Sequence, residues 1–259
     1  MNQPNQKVKF ELKRTGFHNL WGLLAIPVAV LLQKGILSPA ILDFFIYGIM
    51  GVIASIVDVI RPLLFRANQK WGWLDNKYLH FLLSIEQYFV TKEVLREEER
   101  TSYSGVGSYL IGIIIVYGCY DFYIAAIAVM ILAFGDPLAR IIGKKYGERR
   151  SWLVSLRTIV VFYYNRIVRG KFDEKQTSKG KTIEGMVAFL MFSFIIIVLA
   201  VSWLDSLAIP FFPIGYTMGT KVWMIFVGCA VGAVTEVYAG NLDNLLIPII
   251  VAEAMSLCV

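Results

Sequence analysis

Apolar residues along this chain come in long runs, not in strand-like alternation. Between the polar clusters, the runs predict helices near 19–34, 40–60, 104–119, 121–137, 184–203, 221–238 and 241–257. A helix that crosses a bilayer needs about 20 mostly apolar residues, and the runs approach or reach that length. The stretch from Gly105 to Pro137 is ambiguous. As one helix it would measure about 50 Å against roughly 30 Å of hydrocarbon. As a hairpin turning at Gly118-Cys119-Tyr120-Asp121, each arm is short but usable. The pattern predicts an all-α fold, a polytopic membrane helix bundle of about seven transmembrane helices forming one integral domain over 1–259.

Charge chooses the hairpin. With it, the segments 1–18, 61–100 and 140–181 fall on one side and carry 4, 7 and 12 of the 25 Lys and Arg residues, leaving only Lys34 and Lys221 opposite. The positive-inside tendency makes that side cytoplasmic, with the N-terminus inside and the C-terminus outside. One long helix would split the two most basic loops across the membrane. Composition agrees: 57% of residues are hydrophobic and the mean hydropathy is +0.63, above the share of about 45–50% usual in soluble domains. No cleavable signal peptide is visible. The net charge of +6 therefore reads as topology, not as a nucleic-acid signal, since no nucleic-acid motif accompanies it. Cys119, Cys229 and Cys258 have no CxxC spacing and read as membrane-packing residues.

Several polar residues resist that bland reading. In ILAFGDPLARIIGKKYG, Ile131 to Gly147, an apolar run delivers Asp136 to its end, breaks at Pro137, and continues as a glycine-spaced segment with Arg140, Lys144 and Lys145. An acid at the mouth of a membrane helix is costly unless it binds something. Glycines at 143 and 147 would let backbone N–H groups approach a phosphate. His18 closes an entry segment, ELKRTGFH, and is suited to donate to phosphate or shuttle protons. Asp58 and Arg61 in SIVDVIR share a helix face and read as an internal ion pair. Residues 84–100 read as a charged surface helix. The loop 148–180 is basic and carries an apolar stripe over 150–168, predicting a cytoplasmic interfacial helix on anionic lipid headgroups. Gly180-Lys181-Thr182 is no P-loop, because Lys175 stands where that motif needs glycine. KTIEG still places Lys181, Thr182 and Glu184 at a helix start, where Thr182 can cap and Glu184 suits the dipole. Finally, TEVYAGNLDNLLIPI brings Glu236, Asn241, Asp243 and Asn244 into the turn between the last two helices.

In order, ELKRTGFH, SIVDVIR, GDPLARIIGKKYG, KTIEG and TEVYAGNLDNLLIPI resemble the CTP-dependent lipid-alcohol kinases, which include dolichol kinase, phytol and farnesol kinase and a CTP-dependent diacylglycerol kinase. The resemblance implies phosphorylation of a hydroxyl on a membrane lipid, with CTP as co-substrate and Mg2+ or another divalent cation. It implies Asp136, Glu236 and Asp243 as metal ligands. Arg140, Gly143, Lys144, Lys145, Gly147, Lys181, Thr182, Asn244 and His18 would hold the nucleotide. The base would be one of Asp136, Glu184, Glu236 and Asp243. The expected partners are a membrane lipid, a nucleotide and anionic headgroups. Two alternatives stay open: a phosphatidate cytidylyltransferase, which shares two of the motifs but also carries a C-terminal Asp-Arg-x-Asp missing here, and a non-enzymatic lipid transporter or scaffold. The kinase reading requires Asp243, and with it Glu236, to lie close to Asp136, about a hundred residues away in sequence, with their carboxylates within reach of one metal or a bridging water.

Overall fold

The computed structural model describes residues 105–147, 181–208, 211–213, 215–239 and 242–258, with scattered positions between 23 and 52. The expected sites His18, Asp58, Arg61 and Asn241, the 84–100 helix and the 148–180 loop lie outside the described residues. The described residues contain helices and turns and no β-strand. The helices are α1 (Gly105–Cys119), α2 (Phe122–Tyr146), α3 (Ile183–Ser206), α4 (Met218–Ala239) and α5 (Asp243–Ser256). Three of them, α2, α3 and α4, are long and apolar enough to cross a membrane. The chain forms two compact units, Met1–Cys119 and Tyr120–Val259.

In the first unit, the described positions within the first two expected spans are helical. Between them Gly35 sits at φ 67°, a left-handed turn conformation that glycine adopts without steric cost. Helix α1 ends at Cys119, and the break at Tyr120-Asp121 falls inside the expected turn.

The second unit is an up-down-up-down bundle of α2 to α5, and close contacts fix its directions. Running forward along α3, Thr182 meets Gly147 and Gly143, Gly185 meets Gly143 and Ala139, and Phe189 meets Gly135, so α3 is antiparallel to α2. Lys181 meets Glu236 and Lys221 meets Asp205, so α4 is antiparallel to α3. Met255 lies against Gly228 and Val251 against Gly232, which sets α5 antiparallel to α4. The end of α2, the start of α3, the end of α4 and the start of α5 thus share one end of the bundle.

Helix α2 is the hub. Every residue from Tyr123 to Pro137 is buried, as expected of a helix apolar on all faces. Midway along the bundle the four helices meet in a dry layer. A methyl group on Gly232 would lie 3.0 Å from Phe189 Cε1, 3.1 Å from Ile131 Cγ2 and 3.2 Å from Val251 Cγ2. One on Gly228 would lie 2.9 Å from Met255 Sδ. Small residues at these positions let the backbones approach closely, the main packing device open to helices in lipid.

The other end of the bundle carries its own polar contacts. Lys221 pairs with Asp205 at 2.6 Å and lies over the Phe212 ring. Tyr120 donates to Glu253 at 2.7 Å, and the Tyr123 and Tyr216 hydroxyls are 3.1 Å apart. Trp203 and Trp223, both exposed, flank this end, the placement that interfacial tryptophans favour.

Candidate active site

The sequence expects α2 to end at Pro137, with a glycine-spaced turn beyond it. The structure corrects this. Helix α2 runs unbroken through Pro137 to Tyr146. Asp136 therefore sits not at the mouth but about 15 Å of helix before the end, at 1.5 Å per residue, and is only 1% exposed. Proline removes one backbone donor and usually ends a helix. Inside a packed bundle the alternative is worse, because irregular backbone at membrane depth must find new partners. Gly143 lies in the last turn of α2, and Gly147 caps the helix, its N–H donating to the Gly143 carbonyl at 3.1 Å, so the segment is a helix end and not a separate glycine-spaced turn. Their absent side chains serve packing instead. A methyl group on Gly147 would lie 2.5 Å from Thr182 Cγ2, and one on Gly185 3.0 Å from the Ala139 carbonyl oxygen.

Thr182 is the N-cap of α3, its hydroxyl accepting from the Gly185 N–H at 3.1 Å. That occupies one of the orphan donors of the first turn. Lys181, immediately before the cap, is thereby held at the mouth of the bundle. Its ammonium pairs with Glu236 and, at 3.4 Å, with Asp243 Oδ2. From the facing side, Arg140 pairs with Asp136 at 2.9 Å, one helical turn away, and lies 3.8 Å from the same Asp243 Oδ2. Asp243 opens α5, where the helix dipole favours a negative charge, and its Oδ1 accepts from the Asn244 N–H at 2.8 Å.

Three acids and two bases from four helices thus form one network, centred on a single oxygen of Asp243. All three acids are buried, Glu236 at 3% and Asp243 at 7% exposure. Burial lowers the pKa of Lys181, but Glu236, Asp243 and Asp136 together more than offset this and hold it above the ordinary 10.5. Ionisable groups inside a membrane bundle are expensive, and pairing of this kind is how they are tolerated. With all five groups ionised the sum is −3 from the acids and +2 from the bases, one negative charge in excess. One oxygen within it has no hydrogen-bond partner among the described residues: Asp136 Oδ1. Glu184 Oε2, near the start of α3, is buried in the same state.

Glu236 and Asp243 lie in one network with Asp136, bordered by Lys181, but the expected convergence of the three carboxylates on a single metal is not seen. The agents that join them are Arg140 and Lys181. Among the described residues no three acids, histidines or cysteines converge closely enough to hold a metal by themselves. Lys144 and Lys145 are exposed, and Lys145 lies over the Tyr146 ring, 4.9 Å from its centroid. Asn244 is buried beside Asp243. The pair Asp205–Lys221 at the opposite end went unassigned in the sequence. Its signal was there: two lone charges facing each other across the short 207–217 connection of an antiparallel helix pair.

Compared with protein-family models, curated proteins and solved structures, the chain finds no match.

Proposed function

We propose that this chain is a membrane kinase that transfers a phosphoryl group from a nucleoside triphosphate, by resemblance CTP, to the hydroxyl of a membrane lipid. One observation carries the proposal. GDPLAR, KTIEG and TEVYAGNLDN, three of the motifs behind the resemblance, lie apart in sequence, and Asp136, Arg140, Lys181, Glu236 and Asp243 from them meet in a single network at one end of the bundle. That end would face the cytoplasm, where the charge distribution puts the basic segments.

The residues fit a divalent ion bound as Mg2+ is commonly bound, by one or two carboxylates together with substrate phosphates and water, not in an all-protein cage. Asp136, with its unpartnered Oδ1, and Asp243 would hold it, with Glu236 adjacent. When bound, the ion neutralises charge on the triphosphate. Arg140 and Lys181, about a fifth exposed, are the cations positioned to reach the β- and γ-phosphates. In the reaction the lipid hydroxyl oxygen bonds to the γ-phosphorus as the bond to the β–γ bridging oxygen breaks, and CDP leaves. The hydroxyl proton passes to a carboxylate at this end of the bundle. Glu236 and Asp243 are engaged by Lys181 and Asp136 Oδ1 is the oxygen offered to the ion, whereas Glu184 Oε2 has no hydrogen-bond partner among the described residues.

The dry layer of Ile131, Phe189, Val251 and Met255 lies across the bundle beyond the network, and all four are fully buried. A site open at one end suits a reaction more than passage through the bundle, which weighs against the transporter reading.

The test is direct. Purified protein in lipid nanodiscs receives CTP labelled in the base and on the γ-phosphate, with polyprenol, phytol or diacylglycerol. Release of CDP with label transfer to the lipid is expected. Release of pyrophosphate on adding phosphatidate would replace this reading with the cytidylyltransferase, and neither product would leave a transporter or scaffold.

A further inference from the structure

The two cations best placed to bind a triphosphate are already committed to acids of the same site. Arg140 holds Asp136 and Lys181 holds Glu236, and both point at Asp243 Oδ2. A triphosphate arriving alone meets two obstacles. The network has one excess negative charge, and the incoming ligand carries several more. Drawing Arg140 and Lys181 onto phosphate would also strand three carboxylates that are at most 7% exposed, and leaving a buried charge without its partner is strongly unfavourable. A divalent cation removes both obstacles. Placed on the acids, it takes the sum from −1 to +1 and releases the two bases.

We infer that the Arg140–Asp136 and Lys181–Glu236 pairs, joined through Asp243, form an internally paired resting state that refuses a nucleoside triphosphate until a divalent cation replaces the two bases on the acids. The inference rests on the kinase reading and adds regulation to it. The buried Asp136 Oδ1, without a hydrogen-bond partner, is an acceptor that a cation can take up without first breaking a pair. Coupling of this kind is reciprocal, so nucleotide tightens the metal as much as metal tightens nucleotide. Asp243 is the element through which both bases are restrained. Neutralising it brings the network to zero charge and loosens both cations together.

The experiment measures binding, not turnover. Inorganic tripolyphosphate and CTP are titrated calorimetrically into the full chain in nanodiscs, once with Mg2+ and once with EDTA. Wild type should bind at least a hundredfold more tightly with Mg2+. In Asp243→Asn the metal-free affinity should rise at least tenfold, and the ratio between the two conditions should shrink. Glu236→Gln, which frees Lys181 alone, should move metal-free affinity the same way by a smaller factor. It also provides the measurement if Asp243→Asn does not fold. Equal wild-type affinity with and without Mg2+, alongside normal CDP release, overturns the coupling and leaves the kinase reading standing. Unchanged metal-free affinity in both variants overturns it as well. No binding of either ligand even with Mg2+ overturns the coupling and the kinase reading together.

Discussion

Gly135→Ala tests whether the architecture beneath the network is what positions it. Gly135 precedes Asp136 on α2, and a methyl group there would lie 2.7 Å from Cε2 and Cζ of Phe189 and 2.8 Å from Cε1. The ring cannot step back. It is fully buried, and its Cε1 also lies against Gly232, where a methyl would sit 3.0 Å from it. Phe189 is thus a spacer between α2 and α4, directly below Asp136 and one turn below Glu236. Two effects compete on substitution. Alanine gains about 1 kcal/mol over glycine in a helix interior, whereas overpacking a rigid core costs about 1–3 kcal/mol. With three ring atoms in contact and no retreat, the upper end of that range applies, so the net loss is about 2 kcal/mol. The assay is the midpoint of unfolding in mixed detergent micelles, for Gly135→Ala and for Gly219→Ala as a control. At Gly219 a methyl would touch only Thr217 Oγ1 at 3.7 Å, and stability should hold or rise. Phe189→Leu should be destabilising alone and should recover part of the loss when combined with Gly135→Ala, a coupling that independent sites do not show. Wild-type stability in Gly135→Ala, or strict additivity with Phe189→Leu, would refute the spacer.

Three further outcomes are expected. Asp136→Asn should lower turnover by on the order of a thousandfold while the circular dichroism spectrum stays helical; wild-type turnover at ordinary Mg2+ would reduce Asp136 to a partner of Arg140. Lys181 has its pKa raised above 10.5 by the acids around it, so its contribution to stability is complete below that value and is lost only as pH climbs through the higher folded one. The unfolding midpoint should therefore show no Lys181-dependent fall between pH 7 and 9.5, and such a fall, absent in Lys181→Met, would contradict the pairing. In a background with its native cysteines replaced, Lys145→Cys should be labelled from the cytoplasmic side and Leu207→Cys from the opposite side; labelling of both from one side would break the topology.

Much of the second unit was legible in the sequence because burial in lipid and periodicity act together. The runs expected at 184–203, 221–238 and 241–257 correspond to α3, α4 and α5 within a few residues. The meeting of Asp136, Glu236 and Asp243 was also legible, since alternating helix directions bring those ends together and lone acids there would be too costly. The roles of the glycines were not. GDPLARIIGKKYG has the composition of a phosphate-binding turn, and only the neighbouring helix shows why Gly143 and Gly147 are small: Thr182 and Gly185 lie against them. Pro137 misled for a related reason. Its local penalty is visible in the sequence, whereas the packing around α2 that outweighs it is not. Nor does a list of charges say who pairs with whom. The sequence offered Asp136 to a metal, and the fold gives it first to Arg140.

The dry layer also has an electrical consequence. Moving one elementary charge through the full membrane potential is worth about 2.3 kcal/mol per 100 mV, so a multiply charged ligand entering a site deep in the field would bind with an affinity set by voltage. In this bundle Ile131, Phe189, Val251 and Met255 interpose the low-dielectric barrier between the ion network and the far end, while Arg140 and Lys181 keep contact with the near side. With the near end at the cytoplasmic surface, most of the potential would fall across that layer. On the kinase reading, a polyanion that meets Arg140 and Lys181 from the near side would do little work against the field, and an energised membrane and a collapsed one would present it with the same site.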